Sequence, residues 1–315
     1  MDYRCKNAVL LIFFNRPETL QLVFEKVKKA KPPKLFLVQD GARDSRDLER
    51  ILACREIVEN VDWDCEVIKD YSETNLGCGM RPQTGITNAL KQVEQVIILE
   101  DDCVPADSAF RYFDEMLEKY RDDERICYIS GLNHFQEWVT QDSDYLFTKT
   151  GAIWGWATWR RAWALYDYGL DNFNKVSNKK LLQGQISNKS TAKEKIDTWS
   201  KTYKAVKNNT KLSYWDIQWG YVKYSQNMLV VVPRVNQISN IGIGEYSTHA
   251  QSHKSSKFKK RKNFFFIPTQ NFEFPLKHPE IMVCDEKYDK LVYKCAQGNS
   301  VRRFFAKAYK KIFKK

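Results

Sequence analysis

Seven consecutive apolar residues, Ala8-Val9-Leu10-Leu11-Ile12-Phe13-Phe14, set the strongest constraint on this chain. A run without polar alternation is what a strand covered on both faces requires, as in a parallel sheet flanked by helices. The pattern recurs. Lys34 to Val38 is a second apolar run, ending at Gln39-Asp40-Gly41; Cys65 to Ile68 is a third and Val96 to Leu99 a fourth. Helical periods fill the gaps between them. Pro17 opens the first helix, with Leu20, Val23, Phe24 and Val27 on one face. Leu48, Ile51, Leu52 and Arg55 to Val58 suggest a second helix, and residues 84–93 a third, after a turn at Asn75 to Gly79. This β-α-β alternation predicts a three-layer α/β/α fold around a mixed, mostly parallel central sheet.

In such sheets the ligand lies outside the carboxyl ends of the strands. The polar residues there are Asn15-Arg16, Gln39-Asp40 and Glu100-Asp101-Asp102. The acidic triplet follows Val96-Ile97-Ile98-Leu99 directly, so three carboxylates surface where a buried strand ends. Ionised carboxylates this close repel one another unless a cation sits among them. Mn²⁺ or Mg²⁺, with oxygen ligands and open positions for diphosphate oxygens, is the usual solution. The plainer reading is three solvated acids before a proline-containing turn.

Composition narrows the class further. At 315 residues, 43% hydrophobic and 14% aromatic, the chain has enough apolar mass for a large core, which excludes disordered and collagenous proteins. Eight cysteines are scattered with no Cys-x-x-Cys, which argues against a zinc module or disulfide framework and suits a reducing compartment. The first apolar run is too short to span a membrane, so the expected location is cytoplasmic. Asp107 is expected to cap a helix carrying Phe110, Phe113, Leu117 and Tyr120. Residues 126–232 are tryptophan-rich, 254–262 are basic and read as a boundary, and 263–300 give no clear pattern.

The net charge is +12, of which residues 301–315 supply seven Lys/Arg and no acid. Phe304, Phe305, Ala308, Tyr309, Ile312 and Phe313 form one stripe of that tail, with basic residues beside it. An aromatic face with lysine flanks suits a basic amphipathic helix lying on an anionic membrane surface. A helix docked on the protein's own core is the alternative. Nothing resembles a nucleic-acid-binding module, so no nucleic acid is expected as a partner.

Asn15-Arg16-Pro17, Gln39-Asp40-Gly41, Asn75-Leu76-Gly77 and Glu100-Asp101-Asp102, in that order at successive strand ends, resemble the pattern of GT-A-fold nucleotide-sugar glycosyltransferases. The nearest likeness is to the N-acetylglucosaminyltransferase I clan and its bacterial relatives, over about residues 8–250. The triplet is similar to that superfamily's DxD motif. The resemblance implies that Arg16 and Asp40 contact the nucleotide base and Asp101 the ribose, with Asn15 and Asn75 in the same site. Asp102 would be the metal ligand and Glu100 would act through water or on the sugar. Gly151 to Trp159, with Gly155 and Trp156, resembles the loop under the donor sugar. In Tyr214-Trp215-Asp216-Ile217-Gln218-Trp219, Asp216 matches the general base, with Trp215 beside it as a sugar-stacking surface. This sequence departs from the family's Trp-Asp-Asp-Trp at Ile217-Gln218. His249, after Gly242-Ile243-Gly244, would reach the diphosphate or the metal.

The function that the resemblance implies is therefore metal-dependent, inverting transfer from a nucleoside-diphosphate donor, a UDP-sugar by resemblance, to a glycan or lipid-linked acceptor. The domain layout implied is a transferase domain over 1–250, with a nucleotide-binding half (1–105) and an acceptor half (106–250). An extension (251–300) and a membrane-surface helix (301–315) follow. A nucleotidyltransferase of the same fold is the alternative, though its glycine-rich first loop is missing at Phe14-Asn15-Arg16-Pro17. A non-catalytic, membrane-associated protein built on a decayed enzyme is the other.

Overall fold

The computed structural model describes residues 3–140, 142–186, 188–243 and 264–296. His249 and the tail 301–315 lie outside the described residues. The elements run β1 (Ala8–Phe13), α1 (Pro17–Ala30), β2 (Lys34–Gln39), α2 (Ser45–Val58), β3 (Glu66–Tyr71), α3 (Arg81–Leu90) and β4 (Gln95–Glu100). They continue with β5 (Cys103–Pro105), α4 (Ala109–Lys119), β6 (Ile126–Ser130), β7 (Tyr145–Thr148), β8 (Trp156–Trp159) and α5 (Arg160–Trp163). The last are α6 (Val176–Gly184), α7 (Lys189–Lys207), α8 (Asp216–Ser225), β9 (Leu229–Pro233), β10 (Ile238–Asn240) and α9 (Glu286–Ala296).

Eight strands form one sheet in the order β3-β2-β1-β4-β8-β6-β9-β7. The pairs β1-β2, β1-β4, β2-β3 and β6-β9 are parallel, and β4-β8, β6-β8 and β7-β9 antiparallel. The sheet is therefore mixed and mostly parallel, a Rossmann-like arrangement as the alternation predicts. It also joins the two halves, because β8 inserts between β4 and β6.

Side chains alternate across the sheet. Val9, Leu11, Leu35, Leu37, Ile97 and Leu99 pack on one face against α1, α2 and α4. Leu10, Ile12, Phe36, Val38, Val96 and Ile98 pack on the other against α3, α5, α8 and α9. Burying such a side chain contributes about 1.5–3 kcal/mol, so a strand covered on both faces is held from each side. That is why these runs lack polar residues.

Several boundaries differ from expectation. On α2 the inward stripe is Asp47, Ile51, Cys54 and Val58, while Leu48 and Leu52 are about half exposed. β3 runs to Tyr71 and is an edge strand, so it needs apolar cover less than the central strands do. Asp107 does not cap α4. Its carboxylate pairs with Lys26 (2.6 Å) and Lys29 (2.8 Å) of α1, and Ser108 occupies the cap position without a side-chain capping bond. Two lysines one turn apart on a neighbouring helix outbid the backbone amides for that charge.

Residues 264–296, which have no clear sequence pattern, contribute to the core. Tyr288 of α9 is fully buried, with its ring 5.2 Å from both Phe135 and Trp138. All eight cysteines are free thiols. Among the described residues no helix is long and apolar enough to cross a membrane.

Candidate functional site

The acidic triplet sits where β4 leaves the sheet beside β1. The Asp101 amide donates to the Ile12 carbonyl (3.0 Å), and its carboxylate accepts from the Phe14 amide (3.2 Å). Arg16, in the cap position of α1, spans both aspartates: one nitrogen bonds Asp101 and another bonds Asp102 Oδ2 at 2.8 Å. Burial, then Asp102 and Asp101, push the Glu100 carboxyl well above its ordinary range. Burial raises Asp101 too, while the Arg16 charge pulls it back. One guanidinium thus faces three carboxyl groups, and Glu100, which Arg16 does not bond, resists ionisation. Its carboxylate makes no hydrogen bond to another described residue.

The adjoining loops are braced by the other polar residues of the strand ends. Asp40 accepts from the amides of Gly41 (3.0 Å), Leu76 (2.8 Å) and Gly77 (2.7 Å) and from the Asn75 side chain (3.2 Å). Asn15 donates to Asp47 (2.6 Å), which Arg43 also grips. Asn15, Asp40 and Asn75 therefore hold the loops together around the triplet. Gly77 needs its glycine because its φ is +81°, a left-handed value that side chains resist. The loop also meets the second half of the chain: the Cys78 thiol donates to the Ser213 carbonyl (2.8 Å), and Lys211 reaches the Asn75 carbonyl (3.3 Å).

That seam delivers Asp216. It is the first residue of α8 and exposed, and its negative charge adds to the rise at Glu100 and at Cys78. Two acids more than a hundred residues apart in sequence thus share one electrostatic environment.

The tryptophans do not join them as sugar platforms. Trp156 is fully buried, its ring 5.9 Å from Trp215 in a stack and 5.6 Å from Tyr128. Trp215 is only 6% exposed and also packs against Trp163. Both were expected to contact donor or acceptor; both instead belong to the core between sheet and α8. Gly155 adopts φ +61° with Ile238 filling the space beside it, so a side chain there would strike Ile238. Gln218, a departure from the resembled motif, is fully buried, and neither side-chain polar atom has a hydrogen-bond partner among the described residues. Its burial was not legible, because an isolated glutamine on a helix reads as a surface residue.

A short ribbon closes the site. β10 pairs antiparallel with β5, placing Asn240 Nδ2 3.4 Å from Asp102 Oδ1, and the Ile241 amide donates to the Asp102 carbonyl (2.9 Å). A Cβ on Gly242 would lie 1.9 Å from Asp102 Oδ2. Gly242→Ala should therefore push this carboxylate off Arg16. We expect weaker binding of nucleotide ligand by about tenfold or more with little loss of melting temperature, since the loop is superficial. Calorimetric titration checks this; unchanged affinity would show that Asp102 has no part in binding.

Among the described residues no three His, Cys, Asp or Glu side chains are grouped as a metal cage. Mg²⁺-type sites commonly use one or two carboxylates, with water and substrate phosphates completing the shell. The all-oxygen donors of the triplet, with Glu100 unengaged by hydrogen bonds, fit that kind of site. A groove of about 680 Å³ lies at the opposite, amino-terminal ends of β1 and β4, lined by Asn7, Gln95 and Asp114 among others. Asp114 is saturated there by Tyr3, Lys6 and Asn7, and the other two acids that line it, Glu115 and Glu118, pair with Arg111 and Arg121.

No family model and no curated protein matches the sequence. Among solved structures the chain is similar to a UDP-glucose pyrophosphorylase complexed with UDP-glucose, at 10% identity and TM-score 0.36, covering 73% of this chain and 91% of that one. It is also similar to 4-diphosphocytidyl-2C-methyl-D-erythritol synthase from Anaerococcus prevotii, at 14% identity and TM-score 0.32, covering 61% of this chain and 84% of that one. Likenesses this faint carry no argument about the reaction, and the fold stands on the sheet order and registers above.

Proposed function

We propose that this protein is a nucleotide-sugar enzyme, and specifically a glycosyltransferase, working at the carboxyl ends of β1, β2 and β4. One observation carries the reading: Asp216, from the second half of the chain, stands within electrostatic reach of the acidic triplet of the first half. The triplet would receive the donor. Asp102, with Glu100, would hold a divalent ion, which when bound supplies positive charge to the departing diphosphate. Arg16 bonds both Asp101 and Asp102 and so orients them. Asp216 is exposed and beside the site, where a carboxylate can take the proton of an attacking hydroxyl. A single base on the acceptor side favours inversion. The basic tail would hold the enzyme against an anionic membrane bearing a lipid-linked acceptor.

The second reading is nucleotidyl transfer by an enzyme of the same fold. It uses the same triplet but leaves Asp216 without a role. The two separate in one assay. The protein is incubated with UDP-, GDP- or dTDP-sugars and Mn²⁺, with and without pyrophosphate. Slow release of nucleoside diphosphate without pyrophosphate supports glycosyl transfer. Nucleoside triphosphate formed only with pyrophosphate would replace that reading with nucleotidyl transfer.

A further inference from the structure

The seam between the two halves carries a cation that no carboxylate claims. Lys211 lies in the stretch between α7 and α8, and that stretch is clamped on the loop before α3 at three points. The Lys211 ammonium donates to the Asn75 carbonyl (3.3 Å), the Cys78 thiol donates to the Ser213 carbonyl (2.8 Å), and a side chain on Gly79 would strike the Leu212 carbonyl. The lysine stem crosses the face of Gly77, where a Cβ would lie 3.4 Å from Lys211 Cε. Leu212, the next residue, is buried and anchors the stretch. Lys211 is thus exposed, yet its position is fixed from beneath.

Its surroundings belong to the candidate site. The Asn75 side chain and the Gly77 amide both bond the Asp40 carboxylate, at 3.2 and 2.7 Å. Burial raises the neighbouring Cys78 thiol, and the charges of Glu100, Asp216 and Asp40 raise it further, so acids of both halves reach this loop. Arg16, Arg43, Arg46, Arg50 and Arg81, which follow the carboxyl ends of β1, β2 and β3, are each committed to a carboxylate. Lys211 has no such partner within 4 Å among the described residues. An ammonium group carries three donors. The Asn75 carbonyl takes one, and two remain for a ligand.

We propose that Lys211 binds the diphosphate of a nucleoside-diphosphate ligand, supplying from the second half of the chain a positive charge that the engaged arginines of the first half do not. The assignment rests on the nucleotide-sugar reading but not on which transfer follows, since either reaction brings a nucleotide diphosphate to these loops. Lysine suits the part because it meets phosphate oxygens as a compact charge on an adaptable stem. Asp216 begins α8 five residues further on, so the stretch that would meet the diphosphate also delivers the proposed base.

The test is calorimetric titration of the full-length protein in Mn²⁺ with UDP, GDP and dTDP, and ligand-observed NMR titration with the matching nucleosides. Lys211→Met keeps the apolar stem and removes the charge, whereas Lys211→Arg keeps the charge. Diphosphate affinity should fall by about tenfold or more in Lys211→Met, as expected for one charged hydrogen bond, and largely return in Lys211→Arg. Nucleoside affinity should be the same in all three proteins. Raising salt should weaken diphosphate binding more in the parent than in Lys211→Met, because the variant lacks one screened attraction. A parent that binds a diphosphate no better than Lys211→Met removes Lys211 from the site and leaves the nucleotide reading standing. Equal losses for diphosphate and nucleoside would make the lysine a brace of the loop instead. A parent that binds none of the three diphosphates overturns the nucleotide reading and this assignment together.

Discussion

Asp216→Asn should lower sugar transfer by about 10²–10⁴-fold, the usual cost of losing a general base, while donor affinity stays within a few-fold of the parent. The residue is exposed at the start of α8, and asparagine keeps its shape while removing its charge. Removing its charge also relieves the repulsion it exerts on Glu100, which therefore ionises at lower pH. Donor binding, if altered, should thus strengthen slightly. Steady-state transfer and calorimetric donor titration make the two measurements. Near-normal turnover would remove Asp216 from the mechanism; a matched collapse of both would make it a donor-binding residue.

Asp102→Asn is expected to abolish the Mn²⁺-dependent part of donor binding and leave the fold intact. At ligand a hundredfold above Kd, binding stabilises the parent by about 2.7 kcal/mol. The variant should lose that increment and so show no metal-dependent rise in melting temperature with a nucleoside-diphosphate sugar. Its stability without ligand should change little, because two effects oppose. The charged bond to Arg16 is lost, and so is the repulsion among neighbouring carboxylates. Proton competition adds a pH dependence. Because burial and the neighbouring carboxyls push Glu100 up to about 8 and Asp101 up to about 6, protons compete with a cation through the neutral range, and parent affinity for Mn²⁺ should climb as pH rises toward 8. A variant that still gains the parent's metal-dependent shift would place the cation elsewhere.

Much of the scaffold was legible because burial on both faces writes itself into consecutive residues. The runs at Ala8–Phe13, Lys34–Gln39 and Gln95–Glu100 are the three adjacent strands β1, β2 and β4, and the triplet emerges at their shared end. The tryptophans were misjudged for the opposite reason. An indole is flat and apolar with one donor, so it suits a sugar platform or a packed interior equally. Only β8 inserting between β4 and β6 buries Trp156, and only α8 docking on that face buries Trp215. Asp107 was misjudged because a cap is a local bond, whereas Lys26 and Lys29 reach it from another helix.

Local order along the chain thus determined the strand runs, the helix periods, the three-layer class and the clustering of acids at one strand end. Each depends on side-chain burial within a few residues, which hydrophobic periodicity encodes directly. The tertiary structure alone decided the partners of the charges. It set Arg16 on Asp101 and Asp102, brought Asp216 near Glu100, and placed Lys211 on the Asn75 carbonyl. Coulomb forces act across space whatever the chain separation, so a residue's sequence neighbours do not reveal which charge it will face.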